Sequence, residues 1–121
     1  MATLLVNAGK AIVTNRIKGS GTEPVYVAWG TGAGTTGATD TTLFTETGTR
    51  TSGTSTQQTT SVTNDTYQVV GTMTAGGTLA ITNAGLFDAS TSGNLFVKGD
   101  FSTINLSSGD SIQFTIKTQF S

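Results

Sequence analysis

The clearest alternation of apolar and polar side chains lies near the end of the chain, between residues 111 and 120. The apolar phase contains Ile112, Phe114, Ile116 and Phe120, and Thr118 interrupts it. The polar phase contains Gln113, Thr115, Lys117 and Gln119. A period of two places successive side chains on opposite faces of a strand. The pattern therefore predicts a strand with one face toward a core.

Shorter apolar runs between turn residues predict further strands at 25–29, 66–74, 78–83 and 94–98, with an extended piece at 41–45. The stretch 47–64 has almost no apolar side chain, so we expect it to contribute little to the core. Its threonines permit one or two exposed strands, and it is predicted to form a projecting hairpin or arm. About seven short strands at regular spacing predict an all-β fold, either a β-sandwich or a jelly-roll-like barrel.

One short N-terminal helix is predicted at residues 5–18. Asn7 is a candidate N-cap, Ala8, Ala11 and Ile12 share a face, and Gly19 can end the helix. A strand is the alternative for this segment, because Ala-Ile-Val-Thr is also β-prone. The whole chain, 1–121, is expected to form a single β domain.

Composition indicates a protein that acts through its surface. Threonine, glycine and serine number 27, 16 and 11, which is 54 of the 121 residues, and histidine and cysteine are absent. Charged residues make up 11% and the net charge is −1. The protein therefore lacks the excess of positive charge that binds the phosphates of nucleic acid. The chain shows neither a secretory signal nor a membrane-spanning apolar run, and we expect no membrane partner.

No pattern in the sequence selects an active site, so we expect a protein that is not an enzyme. Residues 32–37 match GxGxxG but do not open a helix, which favours a flexible loop. Asp88, Asp100 and Asp110 lie at predicted strand ends, where turn chemistry favours aspartate. We predict no catalytic residue, no cofactor site and no metal site. Tyr26 and Trp29 could stack on a sugar, but on a strand such rings more often belong to a core or a subunit interface.

Several segments together resemble the small structural proteins of tailed bacteriophages. They are Asn-Ala-Gly-Leu-Phe-Asp-Ala at 83–89, Ser-Gly-Asn-Leu-Phe at 92–96, Phe101, Gly-Asp-Ser-Ile-Gln-Phe-Thr at 109–115, and the earlier Tyr-Val-Ala-Trp-Gly-Thr-Gly at 26–32, Asp-Thr-Thr-Leu at 40–43, Glu46 and Arg50. Such proteins occur as capsid decoration (cement) proteins and as tail or fibre components. The resemblance implies a virion structural protein, made in the host cytoplasm.

Two locations in the virion follow from the resemblance. The first hypothesis is a cement protein on the capsid surface, with the major capsid protein and further copies of itself (a homo-oligomer) as partners. The alternative is a tail, fibre or receptor-binding component whose exposed aromatic residues bind glycan. A hydrolase is a third and weaker hypothesis, because no acid–base constellation appears.

Assembly contacts are expected in the N-terminal segment 1–24 and in two polar arms at 30–40 and 47–64. At Gly85 the chain is predicted to turn out of a strand into a corner. Glu46 and Arg50 are predicted to pair across a bend. The candidate interface or corner residues are Leu4, Leu5, Tyr26, Trp29, Leu86 and Phe87.

Overall fold

A computed structural model describes residues 3–121 as eight strands and one helix. Their bounds are β1 Thr3–Leu5, α1 Asn7–Lys18, β2 Tyr26–Gly30, β3 Glu46–Ser52, β4 Thr54–Gln58, β5 Thr66–Thr74, β6 Leu79–Phe87, β7 Leu95–Leu106 and β8 Ser111–Gln119. All neighbouring strands are antiparallel and form a five-stranded sheet, β1-β7-β6-β2-β3, and a three-stranded sheet, β4-β5-β8. The predicted all-β sandwich with one short helix is confirmed. Within residues 3–121, no helix has the length and apolar character needed to cross a membrane.

The core lies between the two sheets, as the period of two in β8 predicts. Ile112, Phe114 and Ile116 turn inward and pack against the buried cluster, while the residues between them are exposed. The Phe114 ring meets the Trp29 ring edge to face, with centroids 6.3 Å apart. Such aromatic pairs stabilise a core beyond the area that they bury.

The stretch 47–64 does not project as an arm, because its two strands join the two sheets. β3 pairs with β2 at the edge of the larger sheet, and β4 pairs with β5 at the edge of the smaller one. At the crossing, the Gly53 N–H donates to the Val25 carbonyl over 2.7 Å. A Cβ on Gly53 would lie 2.5 Å from Cγ1 of Val69. A side chain at this position would force the neighbouring atoms apart, so the glycine lets the chain cross closely and close this side of the sandwich.

The predicted corner at 85–87 is also wrong, because these residues continue β6 through the middle of the larger sheet. Leu86 pairs with Val27 on one side and with Val97 on the other. Gly85 does not form a turn. It allows β6 and β7 to lie close together, since a Cβ there would lie 2.5 Å from the Val97 carbonyl oxygen. The extended piece predicted at 41–45 contains no strand and ends in a turn with Thr45 at φ 52°.

Helix α1 is present, but its N-cap is Val6 and not Asn7. Val6 is fully buried and makes no side-chain capping bond, so its side chain packs in the core and does not cap the helix. The Asn7 N–H donates instead to the Ala38 carbonyl over 2.8 Å. Gly19 ends the helix in the left-handed conformation, φ 92°, as predicted. Ile12 is buried in the same cluster as Phe96 of β7, which fixes the helix to the larger sheet.

Candidate interaction surfaces

Three of the six candidate interface or corner residues are buried in the core. Leu86 and Phe87 lie in β6, and Trp29, in β2, is only 2% exposed. A ring with so little exposed surface cannot stack on a sugar, so the glycan-binding role considered for Trp29 is wrong. Tyr26 and Leu5 are half-buried and pack against core clusters. Leu4, on the edge strand β1, is 37% exposed.

The loop from residue 30 to residue 45 is held along its length. The Thr31 N–H donates to the Thr45 carbonyl and the Gly32 N–H to the Phe44 carbonyl. The fully buried Asn83 side chain accepts from the Phe44 N–H over 3.0 Å and donates to the Phe44 carbonyl over 3.1 Å. A buried amide that satisfies both backbone groups of one residue fixes the loop to β6.

Lys98 anchors the same loop to β7. Its Nζ donates to Oδ2 of Asp40 and to the Thr42 carbonyl, each over 2.9 Å, and lies 3.2 Å from the centroid of the Phe44 ring. The Gly37 N–H also donates to Asp40, and this bond, with Lys98, holds the pKa of the Asp40 carboxyl below its usual range. The charge of Lys98 is therefore compensated inside the fold, and its ammonium does not face an external anion.

Glu46 and Arg50 pair as predicted, and the Arg50 side chain is nearly buried whereas Glu46 remains at the surface. Opposite the three residues Val27–Trp29 of β2, the ladder in β3 runs from Thr51 to Thr47, so five residues of β3 face three of β2. Gly48 has φ 73° inside this bulge. The bulge brings the two side chains together, and Arg50 donates to both Glu46 oxygens over 2.8 and 3.0 Å.

Arg50 also fixes the turn that follows β6. Its Nη1 donates to the carbonyls of Ala89 and Ser92 over 2.8 and 2.6 Å, and its guanidinium lies 3.5 Å from the centroid of the Phe87 ring. The side chain is only 8% exposed. Sequence reasoning found the Glu46 partner but missed these contacts, because they join residues about 40 positions apart.

The aspartates bond to the backbone. Asp88 accepts from the Asn94 N–H over 2.7 Å, and Asp110 accepts from the Ser107 N–H over 2.8 Å, which confirms turn chemistry at both. Asp100 lies inside β7 and accepts from the Thr36 N–H over 3.0 Å. Among residues 3–121, no three His, Cys, Asp or Glu side chains form a group that could hold a metal ion.

Asp65 organises the loop between β4 and β5, a role that the sequence analysis did not anticipate. It accepts from the N–H groups of Thr60, Ser61 and Val62 over 2.8 to 3.0 Å, and from the Gln119 side chain over 3.1 Å. The bonds from the Val62 and Thr60 N–H groups hold the pKa of the Asp65 carboxyl far below its usual range. Aspartate after a Ser/Thr/Asn cluster is the sequence signal that points to such a turn.

The surface formed by residues 3–121 includes two apolar grooves. The first groove, of about 310 Å³, separates β8 from β7 and includes Val97, Phe101, Phe114 and Ile116 in its lining. The second groove, of about 330 Å³, lies beside α1. Its lining includes Ile17 and Phe120, which are 82% and 46% exposed. Apolar grooves of this kind are typical contact surfaces for another protein.

Comparison with known proteins identifies the family. The family model described as Podophage GP4 fiber I protein gp80 matches residues 7–119, nearly the whole chain. No curated protein and no solved structure matches the chain. The match agrees with the resemblance seen in the segments at 26–32, 83–96 and 109–115. The chain is a virion structural protein of tailed phages, and it belongs to the family of the podophage GP4 fiber I protein gp80.

Proposed function

We propose that this protein is a building block of a phage fibre. The observation that carries the proposal is the family match, whose description names a fibre protein and which spans residues 7–119. In this role the protein binds other structural proteins and catalyses no reaction.

The distribution of charge supports a structural role. Of the two ion pairs of the described residues, Lys98 with Asp40 joins a loop to β7, and Arg50 with Glu46 lies within β3, where Arg50 also bonds the turn after β6. The net charge of the chain is −1, which leaves little field to attract a charged ligand or to repel a neighbouring copy. A fibre subunit needs such a surface, because it must pack closely against neighbours.

The two apolar grooves supply candidate contact areas. Exposed apolar surface contributes about 25 cal/mol per Å² when a partner covers it. The second groove presents the apolar side chains of Ile17 and Phe120. Their exposure to water is unfavourable in an isolated chain. In a fibre, a neighbouring subunit covers such residues and contributes to the cohesion of the assembly.

The fibre is preferred over the capsid surface for a specific reason. The resemblance in the sequence allowed both locations, and a capsid location has the major capsid protein as its partner. The matched family description names a fibre and not a capsid component. The burial of Trp29 also removes one of the two aromatic residues considered for glycan binding, and the proposed role is scaffolding within the fibre.

Immunogold electron microscopy of intact virions tests this proposal. Antibody raised against the purified chain is expected to place gold on the fibres and to leave the capsid unlabelled. Particles produced without this chain serve as the control and should lose the label. Gold distributed over the capsid, or virions without any label, would contradict the proposal.

A further inference from the structure

One side of the sandwich is open, whereas the opposite side is closed by the chain itself. The crossing at Gly53 joins the edge strands β3 and β4. On the other side, β8 is the last strand of the smaller sheet, and within residues 3–121 it pairs only with β5. The strand β1 beside it is short and pairs with β7 only at Val97, Lys98 and Gly99.

The free edge of β8 is regular and almost without charge. Its ladder to β5 runs without a bulge from Ser111 to Gln119. The strand contains no proline, and Lys117 is its one charged residue. Natural edge strands usually carry prolines, several charges or bulges that prevent pairing with another strand. The unpaired backbone N–H and C=O groups of β8 therefore form a template for a further antiparallel strand.

We propose that β8 pairs with β8 of a second copy of this chain, antiparallel, around a two-fold axis at Thr115. The two three-stranded sheets then form one continuous sheet of six strands. The partner is a strand because only an extended backbone satisfies a row of backbone donors and acceptors. A two-fold axis makes the contact self-complementary and closed.

The side chains of β8 match one another in this register. With Thr115 opposite its own copy, Phe114 faces Ile116 of the second copy on the inner face. On the outer face Gln113 lies opposite Lys117 of the second copy, which avoids like charges. A register centred on Lys117 places two ammonium groups side by side, and a shift by one residue turns the apolar face outward.

The same contact covers the first groove. That groove lies directly beside β8, and its lining includes Phe101, Phe114 and Ile116. In the proposed pairing, Phe114 and Ile116 of the second copy extend the inner face of the sheet across the open side. Backbone pairing and coverage of apolar surface then occur in one contact, which explains why this side of the sandwich lacks its own closing strand.

This inference assigns a self-contact to the proposed fibre subunit and rests on the proposed function only for its biological setting. Pairing through β8 is measured on the purified chain, without virions. If the pairing is found but gold labels the capsid, the fibre proposal fails and the interface stands. If gold labels the fibres but the chain does not pair, the interface fails alone.

Cysteine cross-linking tests the register directly, because the natural chain has no cysteine. Residues facing each other across antiparallel strands have Cα atoms about 4.5–5.5 Å apart, which suits a disulfide. Under mild oxidation, Thr115→Cys is expected to yield a disulfide-linked dimer of twice the 12.3 kDa chain mass. The matched control is Thr56→Cys, an exposed threonine on the opposite edge strand β4, which should remain monomeric. Equal cross-linking of the two variants, or none in Thr115→Cys, would overturn the proposal.

Charge variants at Gln113 provide a second test that does not depend on disulfide chemistry. Gln113 is exposed, so neither substitution disturbs the core, and circular dichroism checks the fold. Because the two-fold axis repeats each pair, Gln113→Glu should lower the dimer dissociation constant about fivefold and Gln113→Lys should raise it by a similar factor. Sedimentation equilibrium measures both constants. Identical constants for the two variants would contradict the assigned register.

Discussion

The ammonium of Lys98 lies 2.9 Å from Oδ2 of Asp40, at the end of a side chain that has no exposed surface. Asp40 belongs to the loop after β2, and Lys98 belongs to β7. This ion pair joins two segments 58 residues apart in the sequence. It converts a threonine- and glycine-rich loop into a fixed part of the sandwich.

Lys98→Met should destabilise the protein although it keeps the apolar stem of the side chain. The substitution leaves the Asp40 carboxylate and the Thr42 carbonyl without their cationic donor. Removing one partner of a buried pair costs about 3 kcal/mol or more, and we expect about 2 kcal/mol here because Asp40 is partly exposed. Urea unfolding followed by circular dichroism measures the change. The control Lys117→Met, on the exposed face of β8, should change stability by less than about 0.5 kcal/mol.

The stability of the fold should fall in acid and stay nearly constant between pH 5 and pH 8. The folded chain lowers the pKa of Asp40 and of Asp65, chiefly through backbone N–H bonds to both carboxyls. Each group therefore binds its proton more readily in the unfolded chain. Its stabilising effect is complete above the unfolded pKa of about 3.9 and is lost as the pH falls toward the folded pKa.

Urea midpoints at a series of pH values measure this dependence. Histidine is absent, so no side chain with an ordinary pKa titrates between pH 5 and pH 8. The variant Asp65→Asn should show a smaller decrease of the midpoint below pH 4 than the natural chain. A midpoint that stays constant from pH 5 to pH 2 would contradict the assigned bonds of both carboxylates.

Gly85→Ala should destabilise the sandwich by about 2 kcal/mol, as added atoms do in a tightly packed core. The new Cβ would lie 2.5 Å from the Val97 carbonyl oxygen and 3.1 Å from Cδ2 of Leu43, so β6 and β7 must separate. Gly76→Ala is the matched control, because a Cβ there meets no atom within 4 Å and its φ is not positive. Thermal unfolding compares the two variants, and equal melting temperatures would exclude the proposed role of Gly85.

Arg50→Lys should cost about 2 kcal/mol, the scale of a lost hydrogen bond to a charged group. Lysine cannot reproduce the planar fork that bonds Glu46, Ala89 and Ser92 together. Arg16→Lys, at an exposed arginine of α1, is the control and should leave stability unchanged. Proteolysis after residues of the turn 88–93, detected by mass spectrometry, should accelerate in Arg50→Lys only.

The sequence revealed those parts of the fold that local pattern determines. The period of two in β8 and the glycine after α1 depend on neighbours in the chain, and both predictions are confirmed. The role of Gly85 depends on the approach of β7, and that of Gly53 on Val69. Neither neighbour is near in sequence, so the corner at 85–87 and the projecting arm were predicted wrongly.

For the candidate interface residues, too, the sequence could not show what depends on distant parts of the chain. Trp29, Leu86 and Phe87 stood out as large apolar residues, and the sheet order then placed them in the core. Lys98 and Arg50 gave no local signal of burial, since their acceptors come from distant loops. The open side at β8 also depends on sheet order, because periodicity does not tell an edge strand from a central one.

Cryo-electron microscopy of the virion tests the central claim most directly. If this protein builds a fibre, fibre density should contain the two-sheet sandwich, with the five-stranded order β1-β7-β6-β2-β3 and α1 packed on β7. Fibre density that fits a different fold, with this sandwich found on the capsid shell, would contradict the account.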